Sequence, residues 1–223
     1  MDGNRRWAKA KGLPPTDGHL FAAENAIEPL IEECQKQNIP YVTFWAFSTE
    51  NWKRDKEELD ALFSIFRSAF TGLALRFAKR GAKLRILGDV SRFPQDIARQ
   101  CLEFINKTKD NNAITVSFAL NYGGRDEILR AVKKIVSDGL SPDQITEENL
   151  ASRLDTAGIP DPDLIIRTGG DKRLSGYLPW QAVYSELYFT DTLFPDFNVE
   201  QFKLALADYA KRDRRFGGNS NKK

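Results

Sequence analysis

The stretch that decides the fold covers residues 164–189 and reads LIIRTGGDKRLSGYLPWQAVYSELYF. Its first three residues, 164–166, form a short apolar run that is typical of a buried strand. Residues 168–170 would then form the loop at the carboxyl end of that strand. Ligands bind at such loops in open parallel sheets, so this loop is the first candidate for a functional site.

The side chains around this loop are suited to an anion. Arg167 and Arg173 offer forked donors that match phosphate oxygens, and Ser175 adds a neutral hydroxyl donor. Gly169 and Gly170 let the backbone approach a ligand and turn amide N–H groups toward it. Two glycines beside two arginines are also common in solvated turns, so the rest of the chain has to decide between these interpretations.

Composition indicates one domain and narrows the class of partner. The chain has 223 residues, of which 41% are hydrophobic and 11% aromatic, enough for one large α/β domain over residues 1–218 followed by a disordered tail at 219–223. The formal charge is +2, from 33 basic and 31 acidic residues, which argues against a nucleic-acid binder with a broad basic surface. Cys34 and Cys101 have no metal-like spacing and are interpreted as reduced thiols of a cytoplasmic protein.

Strands and helices alternate along the chain. Apolar or β-branched runs at 41–47, 84–87 and 114–119 predict strands. The intervening segments predict helices, which we place at about 20–37, from residue 55 onward, at about 95–108, from the segment 121–125 to about 137, after Ser141-Pro142, and from 199 to about 212. This alternation predicts a central, mostly parallel sheet covered by helices. No leader or membrane-spanning segment is apparent, so any lipid contact would be peripheral.

The amino-terminal residues form a second candidate anion site. They read Asp2-Gly3-Asn4-Arg5-Arg6-Trp7 and precede a predicted helix, whose amino end favours anions. Asp2 is suited to hold a magnesium ion that bridges diphosphate oxygens. His19 is the only histidine of the chain and follows a rigid Pro-Pro loop, where it can donate to a diphosphate. The alternative interpretations are a frayed terminus and a structural histidine.

Two further features admit two interpretations each. Residues 48–52, Ser-Thr-Glu-Asn-Trp, follow the predicted strand 41–47 and either line the ligand edge or cap the next helix. Apolar residues then recur at helical spacing from Leu59 to Phe77, a stripe rich in phenylalanine. Such a stripe packs in an ordinary core or lines a tunnel for a linear hydrocarbon.

Taken together, these segments resemble the cis-prenyltransferase family, in particular its bacterial undecaprenyl diphosphate synthases, over nearly the whole chain. The matching segments, in order, are Asp2-Gly3-Asn4, Arg6-Trp7-Ala8, Gly18-His19, Phe47-Ser48-Thr49-Glu50-Asn51-Trp52 with Arg54, Asn121-Tyr122-Gly123-Gly124-Arg125, Arg167-Thr168-Gly169-Gly170 with Arg173 and Ser175, Trp180-Gln181, Tyr184, Glu186-Leu187-Tyr188-Phe189 and Arg214-Arg215-Phe216-Gly217-Gly218.

The resemblance implies an activity and a role for each matching residue. The activity is the Mg2+-dependent condensation of isopentenyl diphosphate with an allylic diphosphate such as farnesyl or geranyl diphosphate, repeated to give a polyprenyl diphosphate. Asp2 and Asn51 would be catalytic, with Asn51 assisting proton removal, and Asp2 and Glu186 would act in the metal site, Glu186 from across a homodimer interface. The residues implied in substrate binding are Gly3, Asn4, Arg5, Arg6, Trp7, His19, Ser48, Glu50, Trp52, Arg54, Arg167, Arg173 and Ser175.

The sequence departs from the family pattern in four places. The family carries a hydrophobic strand immediately before Asp-Gly-Asn, so the resemblance implies that a central strand is missing here. Pro15 aligns with an arginine that binds the allylic diphosphate, and Ala22 aligns with a glycine. Asp171-Lys172 and Gly176-Tyr177 replace commoner pairs, and Lys172 lies near the implied metal site.

Product length and pathway are also implied by the resemblance. The absence of an insertion between residues 51 and 89, with small residues at Ala23 and Ala46, favours a medium-length product, such as the undecaprenyl carrier lipid of the bacterial cell wall. A short-chain or irregular prenyl diphosphate synthase and a non-catalytic partner subunit are the alternatives. The implied site would lie in the cytoplasm, with peripheral contact at the inner membrane face through the lipid product.

Overall fold

Four of the five described strands form where the apolar runs predict them, the fifth was not predicted, and the strands make a parallel sheet in two parts. The computed structural model describes residues 1–215 and 218, without the side chains of residues 70, 71, 73 and 74. The strands are β1 (Tyr41–Ser48), β2 (Ala82–Leu87), β3 (Ile114–Tyr122), β4 (Leu164–Arg167) and β5 (Glu186–Phe189). β3 lies between β1 and β2 and is parallel to both. β4 and β5 form a separate parallel pair.

Helices cover this sheet, as the alternation predicts. They are α1 (Asn4–Ala10), α2 (Pro15–Asn25), α3 (Ile27–Lys36), α4 (Lys56–Thr71), α5 (Leu73–Lys79), α6 (Gln95–Thr108), α7 (Gly124–Ser137), α8 (Glu147–Ala151) and α9 (Val199–Tyr209). Short 3-10 turns occupy Thr49–Lys53, Val90–Arg92, Pro142–Gln144 and Phe194–Asp196. None of the helices in the described residues has both the length and the apolarity needed to cross a membrane.

The helix predicted over 20–37 is two helices, α2 and α3, that meet at Ala26. Pro29 explains the break, because proline has no N–H to donate to the carbonyl four residues earlier and is tolerated only in the first turn of a helix. The helix predicted from residue 55 is likewise divided, at Gly72. The final helix ends at Tyr209 rather than at residue 212.

The apolar stripe of α4 and α5 is buried, as its spacing predicts. Leu62, Phe63, Phe66 and Phe77 are each at most 9% exposed. Phe63 and Phe66 join an aromatic cluster around Phe47 of β1, with ring centroids 6.5 and 6.1 Å from that of Phe47. The structure does not describe the side chains of Phe70 and Leu73 of the same stripe. Phe216 and Gly217 of the carboxyl-terminal motif, and the tail predicted at 219–223, also lie outside the described residues.

A slot separates the two parts of the sheet. Within the described residues, β1 hydrogen-bonds only to β3 and β4 only to β5, so one edge of each strand is unpaired. A cavity of about 690 Å³ lies between these strands and is lined by residues of both. The amine of Met1 is buried beside it, and this burial lowers the amine pKa to about 6.

An apolar strand fused ahead of Met1 is expected to fill the slot and raise the melting temperature. It would pair with two strand edges and bury several apolar side chains, and each net kcal/mol of stabilisation is worth about 2–4 °C at this chain length. Thermal melts followed by circular dichroism would measure this. A polar extension of equal length is the control, and an equal shift with both extensions would contradict the prediction.

Candidate active site

Asp2 and Arg167 form the centre of the candidate site, at the carboxyl end of β4. Arg167 Nη2 donates to Asp2 Oδ2 over 3.0 Å, and the Gly3 backbone N–H donates to Asp2 Oδ1 over 2.7 Å. The backbone of Asp2 is held by Thr168, whose hydroxyl accepts from the Asp2 N–H and donates to the Asp2 carbonyl. Burial raises the pKa of Asp2, but the hydrogen bonds from Arg167 and Gly3 outweigh it and leave the pKa lowered. Asp2 is therefore a carboxylate at neutral pH.

Arg167 also reaches the loop that follows it. Its Nη1 donates to Ser175 Oγ over 2.9 Å and to the carbonyl of Arg173. The guanidinium of Arg173 is paired with Asp171 at 2.8 Å and is 62% exposed. The three residues predicted to bind one diphosphate, Arg167, Arg173 and Ser175, are therefore neighbours in the structure.

Two glycines allow the amino terminus and this loop to approach each other. Gly169 has φ +87°, and a Cβ there would lie 2.7 Å from Nη2 of Arg6. Gly3 has φ +102°, and its Cβ would lie 2.7 Å from the side chain of Leu193. Residues that carry a Cβ rarely adopt such positive φ values, so glycine is required at both positions. Within the amino-terminal segment itself, Arg6 lies 3.6 Å from Asp2.

His19 and Asn4 line the inner wall of the site. His19 Nε2 and Asn4 Oδ1 are buried polar atoms with no hydrogen-bond partner. Burial, with Arg54 and Arg5 nearby, lowers the pKa of His19 to about 4, so the imidazole is neutral at physiological pH. Unpaired buried polar groups are uncommon and mark places where a ligand can bind.

His19 is expected to make the protein less stable as the pH falls from about 6.5 to about 4. The unfolded chain takes up a proton on His19 near its ordinary pKa of 6.5, whereas the folded chain does so only near 4, so the unfolded state binds more protons across this window. Melting temperatures measured from pH 4 to 7 on the native chain and on His19→Gln would isolate this contribution from that of the carboxylates. Parallel curves for the two proteins would contradict the assignment.

Arg54 and Arg5 supply positive charge near His19. Both contact Glu58, Arg54 at 2.8 Å and Arg5 at 3.8 Å. Burial lowers the pKa of Arg54, with Glu58 acting in the opposite direction. Arg54 is partly buried, and a guanidinium paired with one carboxylate retains further donors for an anionic ligand.

Residues 48–54 comprise the 3-10 turn Thr49–Lys53 at the end of β1 and the two residues that flank it, Ser48 and Arg54. Asn51 Oδ1 accepts the Ser48 backbone N–H over 2.9 Å, so the side chain of Asn51 holds the turn in this conformation. Trp52 packs against Phe93 at 5.4 Å, and its indole N–H donates to Asn121 Oδ1 over 2.7 Å. Glu50 is exposed. Both alternatives for this segment apply, since it caps the turn and also borders the site.

An apolar cavity opens at His19 and Asn4. Its volume is about 90 Å³, and it lies between α2, α4, β1 and β3. Small residues, Ala22, Ala23 and Ala46, form part of its wall, and Phe66 and Phe77 close it. This arrangement combines a polar mouth with an apolar interior.

Two predicted site residues lie apart from this cluster within one chain. Glu186 begins β5, paired in register with Leu164 at the other end of β4 from Arg167, and it accepts a hydrogen bond from Arg212 over 2.8 Å. Trp7 is 5% exposed and donates to Asp196 over 2.8 Å, so it contributes by fixing α1. No cluster of three or more His, Cys, Asp or Glu side chains suited to a metal ion occurs in the part of the chain that is described.

Sequence reasoning missed two contributors to the site. Thr168 was noted only as a loop residue, yet it holds the backbone of Asp2. Asn121 was noted only as part of a matching segment, yet it binds Trp52. Their residue types gave no distinguishing signal, because each acts on a segment that is remote in sequence.

Comparisons with known proteins all point to one family. The family described as putative undecaprenyl diphosphate synthase matches residues 1–217. An isoprenyl transferase of Clostridium perfringens is 45% identical over 98% of this chain and 87% of its own length, and one of Aquifex aeolicus is 45% identical over 97% and 93%.

Solved structures agree with this result. Lavandulyl diphosphate synthase of Lavandula x intermedia, solved in complex with dimethylallyl diphosphate, superposes with a TM-score of 0.92 at 33% identity, over 97% of this chain and 95% of that one. A probable undecaprenyl diphosphate synthase of Campylobacter jejuni gives 0.80 at 38% identity, over 88% and 92%.

Proposed function

The chain belongs to the undecaprenyl diphosphate synthase family of cis-prenyltransferases and is therefore an enzyme that transfers prenyl groups; from this premise, we propose that it condenses isopentenyl diphosphate onto an allylic diphosphate and repeats the step to make a polyprenyl diphosphate. The observation that carries the proposal is the ionised Asp2 held by Arg167 near an apolar cavity that opens at His19. Such a site binds a diphosphate at its mouth and a hydrocarbon inside.

The two substrates would divide the polar groups between them. The allylic diphosphate would lie nearer the cavity mouth, against Gly3, Asn4, Arg5, Arg6, His19 and Arg54. The diphosphate of isopentenyl diphosphate would bind Arg167, Arg173 and Ser175 on the β4–β5 connection. Pro15 offers no cation to the primer, and its exposed position on the first turn of α2 leaves Arg5 and Arg54 to supply that charge.

The site fits a magnesium ion held partly by substrate. Mg2+ is commonly bound through one or two carboxylates together with substrate phosphates, and Asp2 is one ionised, 39% exposed carboxylate beside diphosphate-binding donors. When bound, Mg2+ would neutralise charge on the departing diphosphate. Glu186 would contribute from a second subunit after releasing Arg212, and Lys172 lies beside Asp171 at the edge of this site.

The side chains have complementary tasks in the reaction. As the carbon–oxygen bond to the primer diphosphate breaks, the new carbon–carbon bond forms and a proton leaves the isopentenyl unit. Arg6 and Arg167 would stabilise the negative charge on diphosphate, while the wall around Trp52 would keep water from the allylic cation. Since Asn51 Oδ1 accepts from Ser48, a role for Asn51 in proton removal requires the 48–54 turn to open.

Assembly and location are part of the proposal. One face of α7 exposes three apolar side chains, those of Leu129, Val132 and Val136, with exposed fractions of 60%, 43% and 72%. This face is remote in sequence from residues 48–54 and from the β4–β5 connection. An exposed apolar helix face supports a homodimer. The lipid product supports peripheral membrane contact, and a carrier lipid for the cell wall would be made on the cytoplasmic side.

A second candidate is a short-chain or irregular synthase. The TM-score with lavandulyl diphosphate synthase, whose structure holds dimethylallyl diphosphate, favours it, whereas the 45% identity with bacterial isoprenyl transferases favours the polyprenyl product. A non-catalytic partner subunit is less well supported, because Asp2, Arg167, Arg173 and Ser175 are all retained.

The experiment that tests the proposal is a product analysis. The chain, with and without the apolar extension ahead of Met1, is incubated with Mg2+, labelled isopentenyl diphosphate and farnesyl or dimethylallyl diphosphate, and products are separated by length. A ladder of long products supports the polyprenyl proposal, and a single addition supports the irregular synthase. A folded protein that transfers nothing would overturn both and favour the partner subunit.

Ala46→Phe is expected to shorten the longest product. Ala46 lines the 90 Å³ cavity, and a phenyl ring there would displace most of that volume, so a growing chain would be blocked after fewer additions. The first addition should keep its rate within about a factor of two to three, because the diphosphate groups bind elsewhere. Unchanged product length would show that the chain grows along another path. Leu102→Phe, at an exposed position of α6, serves as the control.

A further inference from the structure

A buried carboxylate beyond the substrate-binding residues has no role in the reaction described above. Glu127 of α7 is 1% exposed, and no ion pair in the described part of the chain includes it. It accepts hydrogen bonds from the Tyr122 hydroxyl over 2.5 Å, the Asp155 backbone N–H over 2.9 Å and Gln181 Nε2 over 3.2 and 3.3 Å. Three donors thus converge on one acid from three separate segments.

Gln181 connects this acid to a substrate loop. It is 2% exposed and lies on the β4–β5 connection, the segment that carries Arg173 and Ser175. Its Nε2 also donates to Thr156 Oγ1 over 2.8 Å. Two further contacts hold the same connection against β3 and α7. The Gly124 N–H donates to the Gly176 carbonyl over 2.8 Å, and the Tyr177 ring lies edge-on to Tyr122 at 6.2 Å.

The connection needs such anchors because its backbone is strained. Ser175 has φ +52° and Leu178 has φ +46°, a left-handed conformation that is unfavourable for a residue with a side chain. Ser175 is itself one of the three residues assigned to the diphosphate. Strained residues persist only where the surroundings hold them, and here Glu127, Gln181 and Tyr122 form those surroundings.

We propose that Glu127 is a positioning residue for isopentenyl diphosphate, acting through Gln181 and Tyr122 to set the loop that presents Arg173 and Ser175. The inference rests on the proposed function insofar as that loop binds this substrate. Neighbouring residues of a strand point to opposite faces. At the end of β3, Asn121 accordingly binds Trp52 of the other substrate loop, while Tyr122 binds Glu127.

The test uses Glu127→Gln in the full chain. The variant keeps the shape of the side chain but replaces one acceptor oxygen by an NH2 group that would face donors, leaving at least one buried hydrogen bond unmade. We expect the KM for isopentenyl diphosphate to rise about tenfold, while the KM for farnesyl diphosphate and the kcat change less than twofold. Asp126→Asn, which removes a half-exposed carboxylate from the same turn of α7, should leave all three unchanged.

A reciprocal exchange makes the test specific. Combining Glu127→Gln with Gln181→Glu restores one amide facing one carboxylate, so it should recover a large part of the lost affinity. If Glu127→Gln does not fold, Tyr122→Phe removes a single donor from the same acid and should raise the same KM by a smaller factor. A uniform rise in both KM values, or a lower melting temperature with unchanged KM values, would overturn the proposal.

Direct binding separates this proposal from the proposed function. Titration calorimetry with isopentenyl diphosphate alone, without primer, measures the affinity of the loop for this substrate whether or not the protein is catalytically active. Weaker binding by Glu127→Gln in a protein without transferase activity would support the positioning role and reject the polyprenyl proposal. Equal binding by the native chain and the variant, in an active enzyme, would reject the positioning role and leave the activity in place.

Discussion

Asp2→Asn is expected to lower kcat by about a thousandfold. Asp2 is ionised because the hydrogen bonds from Arg167 and Gly3 outweigh the effect of burial on its pKa, and the amide has the same size but no charge to offer a metal ion. Removing one group that stabilises developing charge costs on the order of 10²–10³ in kcat, and weaker metal binding would add to this. The measurement is steady-state transfer of labelled isopentenyl diphosphate over a range of Mg2+ concentrations.

A matched control is available for this substitution. Asp143→Asn removes an exposed carboxylate from the 3-10 turn Pro142–Gln144 and should leave kcat unchanged. If Asp2→Asn kept more than a tenth of the native kcat at saturating Mg2+, Asp2 would not hold the metal, and its contact with Arg167 would be structural.

Arg167→Lys is expected to lower kcat/KM for isopentenyl diphosphate by about a hundredfold. One guanidinium contacts Asp2, Ser175 and the carbonyl of Arg173 at the same time. Lysine keeps the charge but is a single point donor that cannot reproduce this forked geometry. The loss should therefore appear even though the net charge of the site is unchanged. It is measured by varying isopentenyl diphosphate at saturating primer.

Arg173→Lys provides the comparison for Arg167→Lys. The Arg173 guanidinium is 62% exposed and paired with Asp171, so the same replacement should cost far less. Equal losses for the two variants would show that charge alone, and not the forked contacts of Arg167, determines affinity for this substrate.

Four of the five described strands, β1 to β4, could be predicted from local sequence. Apolar runs of three to seven residues indicated them, because buried strands are typically such runs. β5 was missed, since Glu186–Phe189 is short and begins with an acid. The helix at 20–37 was predicted without its break at Ala26. The rule that proline is tolerated only in the first turn of a helix would have predicted this break from Pro29.

The relation between segments could not be predicted in this way. Asp2 and Arg167 lie 165 residues apart in sequence and 3.0 Å apart in space, and no local pattern records that distance. The neutral state of His19 depends on burial beneath Arg54 and Arg5, which exists only in the fold. Glu127 has the sequence position of an ordinary acid in the first turn of a helix.

Local sequence alone indicates which residues have the chemistry to bind diphosphate, where β1 to β4 and the loops after them lie, and which family pattern the chain follows, because propensity and motif are local properties. The tertiary structure alone decided that two distant loops meet at Asp2, that the sheet is divided by a slot between β1 and β4, and that Glu127 receives three donors. These features depend on packing between remote segments, where burial sets both pKa values and the cost of an unmade hydrogen bond.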